Sequence, residues 1–154
     1  MVMFMSDAAG NIIQILASLP DFLRKPMLQS RLKEFYAMSD TDKRETISMA
    51  LSAAPTIDPN KLSVLFRTWL EILSEFESEK RAIMFQTYCK QILENTHLIE
   101  KLDFRQLTAT FLSLDQKQQE RITGSLQEVL LSFPNRYQIL KLFPEHSLKA
   151  VGLK

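Results

Sequence analysis

Glu94-Asn95-Thr96-His97 is the first place to look for chemistry, because a carboxylate and an imidazole three positions apart share one face of a helix, as in carboxylate-bridged metal bundles. Such a site needs a second copy of the motif and two further inward carboxylates. The only other histidine, His146, follows Glu145 near the C-terminus. The motif therefore reads as the end of a helix, with His97 over the last carbonyls or in water. Cys89, the one cysteine, would be a nucleophile only if a helix N-terminus or a cationic neighbour favoured its thiolate and an ordered base stood beside it. It falls in mid-helix, and Lys90 points about 100° away, so the thiol reads as a small buried hydrophobe. No Gly-x-Ser-x-Gly elbow occurs, and the three glycines, Gly10, Gly124 and Gly152, form no phosphate-cradling loop. Glu71, Glu75, Glu77 and Glu79 gather near a helix end, where they read as a solvated edge. These residues suggest a protein that is not an enzyme, with no catalytic set, cofactor or metal.

Basic residues offer a binding surface instead. Lys43, Arg44, Lys80, Arg81 and Arg121 each fall in the early turns of the second helix of a hairpin, so stacked hairpins would align them as one ridge suited to phosphates or an acidic partner. Against this, Asp42, Glu45, Glu79 and Glu120 lie beside them, and mixed charges on a helix surface usually serve solubility. Met27, Met38, Met49 and Met84 share no single helical spacing and read as flexible fillers.

The frame for these residues is set by composition. Nineteen basic and eighteen acidic side chains leave a formal charge of +1, so no global field draws in nucleic acid or an anionic membrane. A chain of 154 residues suits one domain spanning 1–154, with disorder confined to residues 1–6 and a tail at 145–154. A lone cysteine precludes an intramolecular disulfide and suggests a cytoplasmic protein. The apolar opening Met1-Val2-Met3-Phe4-Met5 lacks a basic n-region and is interrupted by Asp7, Gly10 and Asn11, so it does not read as a secretion signal, and Met5 offers an alternative start. No run reaches the roughly 18 apolar residues that span a bilayer.

Apolar periodicity predicts a first helix over about Asp7 to Ser18, ended by Leu19-Pro20, and a second with Pro26 in its first turn. Ser39 with Asp42, Asp58 with Pro59, Asp103 with Gln106, and Asp115 with Gln118 each mark a helix start. A central helix from Ser78 to Asn95 carries apolar residues on more than one face. After Pro134-Asn135 comes a short helix around Tyr137 to Phe143, and the tail packs through Leu148 and Val151 or frays.

Three aromatic anchors, Phe35-Tyr36, Trp69-Leu70 and Phe111-Leu112, each precede a cap-like turn, and they are 34 and 42 residues apart. Aligning Glu45-Thr46-Ile47 with Glu120-Arg121-Ile122 also aligns Leu51 with Leu126. On that pattern the stretch from Pro26 to Phe133 resembles HEAT or armadillo-type helical hairpins. The expected fold is all-α, with seven or eight helices in stacked antiparallel hairpins, as a right-handed solenoid-like array or an irregular helical bundle. The expected role is a non-enzymatic protein–protein interaction or scaffold module that grips a protein or peptide in a groove. A nucleic-acid-binding repeat protein and a small-ligand-binding bundle are the alternatives.

Overall fold

A computed structural model describes residues 11–154, and every structural statement below is made of those residues. The expected helix start at Asp7 and disorder over residues 1–6 lie outside them. The described chain is all-α, without a strand. Helix α1 covers residues 11–18. There follow α2 (Asp21–Tyr36), α3 (Asp40–Ala53), α4 (Pro59–Glu75), α5 (Ser78–Glu94), α6 (Phe104–Leu112), α7 (Gln116–Ser132), α8 (Arg136–Leu140) and α9 (Glu145–Ala150), with 3-10 turns at Ala54–Thr56 and Thr96–Ile99.

The capping residues fix the helix starts. Ser39 Oγ accepts from the Asp42 amide, Asp58 from the Asn60 and Lys61 amides, and Asp103 from the Gln106 amide. Only Asp115 and Gln118 form a reciprocal capping box, at 2.8 and 3.1 Å. Pro26 corrects the expectation for α2. That helix begins at Asp21 behind Pro20, so Pro26 sits inside it rather than in its first turn. Arg24 supplies what makes the early start possible: its guanidinium gathers the Leu16 and Leu19 carbonyls at the end of α1 and bonds Asp21.

Packing sorts the helices into two layers. Helices α2, α4 and α6 lie side by side, with α9 against α6, while α3, α5 and α7 form the second row, with α8 against α5. Helix α4 carries the most deeply buried residues, Ile72 and Leu73, and it touches α2, α5, α6 and α7. Helix α5, expected at the centre, packs against α3 and α7 on its two sides. The tail is ordered into α9, which buries Leu148. A second small cluster of Cys89, Leu130 and Ile139 closes the C-terminal end under α8.

Several helix starts are evenly spaced, although α6 begins at Phe104, 45 residues after Pro59. Helices α3, α5 and α7 begin at Asp40, Ser78 and Gln116, and each start lies 38 residues after the one before. Helices α2 and α4, beginning at Asp21 and Pro59, are offset by the same interval. On this register Phe35, Leu73 and Phe111 are equivalent, and all three are buried. The aromatic anchors had suggested a looser register, because Trp69 is equivalent not to Phe35 but to Arg31 and Leu107. Leu112, paired with Phe111 as an anchor, is about half exposed, at 52%.

Candidate functional site, an apolar cavity between the layers

The fourth residue of each second helix shows what the basic residues do. Lys43 Nζ donates to the Met38 carbonyl at 3.0 Å, and Gln119 Nε2 donates to Leu114 and Leu112 carbonyls at 2.8 and 3.0 Å. Arg81, between them in the register, donates to the Leu73, Ser74 and Phe76 carbonyls and to Ser125 Oγ at 2.8 Å. The last turn of a helix leaves carbonyls without partners and carries the negative end of its dipole, so a cation there completes the hydrogen bonding and is electrostatically favoured. Arg121 joins Arg81 on the Ser74 carbonyl at 3.2 Å. Lys80 stands over the Tyr36 and Phe76 rings, 5.4 Å from each centroid, and its carbonyl accepts the Tyr36 hydroxyl.

Of the five residues of the expected basic ridge, Arg44, Lys80 and Arg121 are exposed and Lys43 is half-buried. Arg81 is buried, Lys43 and Arg121 are turned onto helix-end carbonyls, and Lys80 lies on aromatic rings. Arg44 has no hydrogen bond, ion pair or ring contact to a described residue. Burial and the neighbouring Arg121 both lower the Arg81 pKa, offset in part by Glu128 and Tyr36.

Nor does the Glu94–His97 spacing survive folding. Helix α5 stops at Glu94, Asn95 caps the next turn, and the imidazole Nδ1 of His97 lies 3.2 Å from Glu100 on the surface. His146 is exposed on α9. Burial pushes the Cys89 thiol up to about 11, which leaves it protonated near neutral pH. No group of three or more His, Cys, Asp or Glu residues is placed to hold a metal among the described residues. No helix among them is long and apolar enough to cross a membrane.

What the structure does assemble is a half-enclosed cavity of about 380 Å³ between the layers at the N-terminal hairpin. Ile13 and Leu16 of α1 line one part, Phe35 of α2 and Ala50 of α3 another, and Phe66 and Trp69 of α4 a third, with Tyr88 of α5 beyond. Trp69 stacks on Phe66 at 5.8 Å and meets Tyr88 at 5.3 Å between ring centroids. The indole is thus partly buried against the cavity rather than sealed in the core.

The 38-residue register explains why the space exists. Where α5 carries Met84, Tyr88 and Ile92, and α7 carries Ile122, Leu126 and Leu130, helix α3 and its C-cap carry Thr46, Ala50 and Ala54. The first hairpin is built with small side chains at positions that the later hairpins fill. All three of these small residues line the cavity.

An empty space of this kind is expensive. At about 24 cal/mol per Å³, a sealed void of 380 Å³ costs on the order of 9 kcal/mol, comparable with the roughly 5 to 15 kcal/mol that stabilise a whole domain. The opening to solvent makes that an upper bound. Polar groups at the cavity are few. Arg31 and Glu34 pair at 3.1 Å on the exposed side of α2, and Thr46 Oγ1 points to Met38 Sδ at 3.4 Å. The Tyr88 hydroxyl has no hydrogen-bond partner among the described residues, and the ring lines the cavity. Burial raises the Tyr88 phenol well above its usual range. Compared with family models, with curated proteins and with solved structures, the chain gives no match.

Proposed function

We propose that this chain is a non-enzymatic binding module that takes up a hydrophobic group in the cavity between its two helical layers. One observation carries the reading: about 380 Å³ of apolar, aromatic-lined space is kept open by Thr46, Ala50 and Ala54, at positions equivalent to large side chains elsewhere in the stack. Binding pockets typically enclose about 300 to 1,000 Å³ and combine an apolar lining with few polar groups, and this cavity meets both descriptions. Trp69 is the only tryptophan and lines the space, so it reports on occupancy without a label. Titration with toluene, which has no polar end, is expected to change Trp69 fluorescence to saturation in the native protein and not in Ala50→Leu. No change in the native protein with toluene or with a longer aliphatic alcohol would remove the reading.

A second reading keeps a protein partner, which the hairpin architecture suggests. Phe22, Leu23 and Met27 of α2 are exposed, Phe22 at 76%. On this reading Phe22→Ser weakens capture of the partner and leaves toluene binding unchanged. Equal capture by both proteins counts against it. For the nucleic-acid alternative, Arg81 is buried, which leaves Arg44, Lys80 and Arg121 as the exposed cations of the expected ridge.

A further inference from the structure

Resting on the binding reading, a more specific occupant follows from the volume, charge and hydrogen-bonding state of the cavity. A cavity of about 150 Å³ takes one benzene, so the 380 Å³ here accommodates roughly ten to fifteen heavy atoms. The lining holds one cation and one anion, Arg31 and Glu34, and they neutralise each other at 3.1 Å. A ligand with a buried charge would find no unpaired counter-charge, and an unpaired charge in an apolar site is costly. A ligand with no polar end would leave the Tyr88 hydroxyl without a partner. That hydroxyl is the distinctive group: it belongs to a lining residue whose ring meets Trp69, and it has no hydrogen-bond partner among the described residues. A neutral phenol both donates and accepts, so it matches an alcohol, a carbonyl or an amide equally.

We propose that the cavity binds a small neutral amphiphile, a hydrocarbon body of about ten heavy atoms whose single uncharged polar end hydrogen-bonds the Tyr88 hydroxyl. Neither a fatty-acid-like carboxylate nor a purely apolar molecule satisfies both the charge balance and the phenol.

Three probes separate the cases in the full chain at neutral pH, each read by Trp69 fluorescence and isothermal calorimetry. Nonan-1-ol is expected to bind in a 1:1 ratio, and nonanoate, of the same chain length, at least about tenfold more weakly. Tyr88→Phe is expected to weaken nonan-1-ol by about three- to tenfold, the range of one hydrogen bond, while leaving toluene unchanged. Nonanoate binding as tightly as nonan-1-ol, or Tyr88→Phe leaving the alcohol unaffected, overturns the proposal. If Tyr88→Phe does not fold, the alcohol-to-carboxylate ratio in the native protein decides alone. Toluene binding without a preference for the alcohol defeats this proposal and spares the binding reading. Failure of all three probes defeats both.

Discussion

Replacing Ala50 with leucine tests the cavity from the side of stability. Ala50 occupies the position that Tyr88 holds in α5 and Leu126 in α7, and it lines the open space. Leucine adds three carbon atoms, and burial contributes about 0.8 kcal/mol for each, giving roughly 2.4 kcal/mol at most. Fixing the new side chain costs about 0.5 to 1 kcal/mol of rotamer entropy, so a net gain of about 1.5 kcal/mol is expected. For a chain of this size that corresponds to a rise in Tm of about 3 to 6 °C. The sign is what discriminates. In a close-packed core the same insertion forces strain and costs about 1 to 3 kcal/mol. Urea unfolding followed by far-UV circular dichroism, with calorimetry for Tm, measures the change directly. A destabilised Ala50→Leu would show that the interlayer space is not available to a side chain, and hence not to a ligand, and the reasoning would fail.

Other outcomes follow from the same arrangement. Arg81→Leu is expected to destabilise by about 1 to 3 kcal/mol, because it leaves the Leu73 and Phe76 carbonyls and Ser125 without their donor, whereas exposed Arg44→Ala stays within about 0.5 kcal/mol; urea midpoints compare the two. The Cys89 thiol is held at about 11 against an ordinary value near 9.0, so the unfolded chain loses this proton at a lower pH than the folded one. Its contribution to stability is therefore complete below pH 9 and is lost as pH rises toward 11, by about 2 to 3 kcal/mol, a decline that unfolding curves should show and that Cys89→Ala should reduce. Asp115→Ala removes the side-chain acceptor of the one reciprocal capping box and leaves the residue 115 amide on Gln118, and it is expected to cost about 1 kcal/mol in the same assay.

Much of the fold was legible because capping is local chemistry. Ser39, Asp58, Asp103 and Asp115 announce helix starts through a side-chain oxygen and an amide two or three residues on, and each does so in the structure. The register was less legible because aromatic residues mark bulk, not equivalence. Trp69 stands where Arg31 and Leu107 stand in the neighbouring hairpins, so measuring from Phe35 to Trp69 spread one interval into 34 and 42 residues. The caps Ser39, Glu77 and Asp115, with Lys43, Arg81 and Gln119 four positions on, keep the 38-residue interval throughout. The burial of Arg81 was not legible because early-turn placement gives a residue's position along a helix but not its direction: Arg81 reaches back over its own turn to carbonyls five to eight residues earlier. The cavity carried a readable trace once the register was known, in Thr46, Ala50 and Ala54 opposite larger residues. Without the register those are ordinary small positions in an amphipathic helix. Enclosure by α1 and α4, by contrast, is a tertiary fact that local sequence does not encode.

Diffraction from crystals held under xenon pressure tests the central claim most directly, since xenon enters accessible apolar cavities and needs no polar contact. Strong xenon density among Ala50, Trp69 and Tyr88, lost in Ala50→Leu, is the expected result. A space already closed by repacked side chains, with no xenon between the layers, would contradict the account.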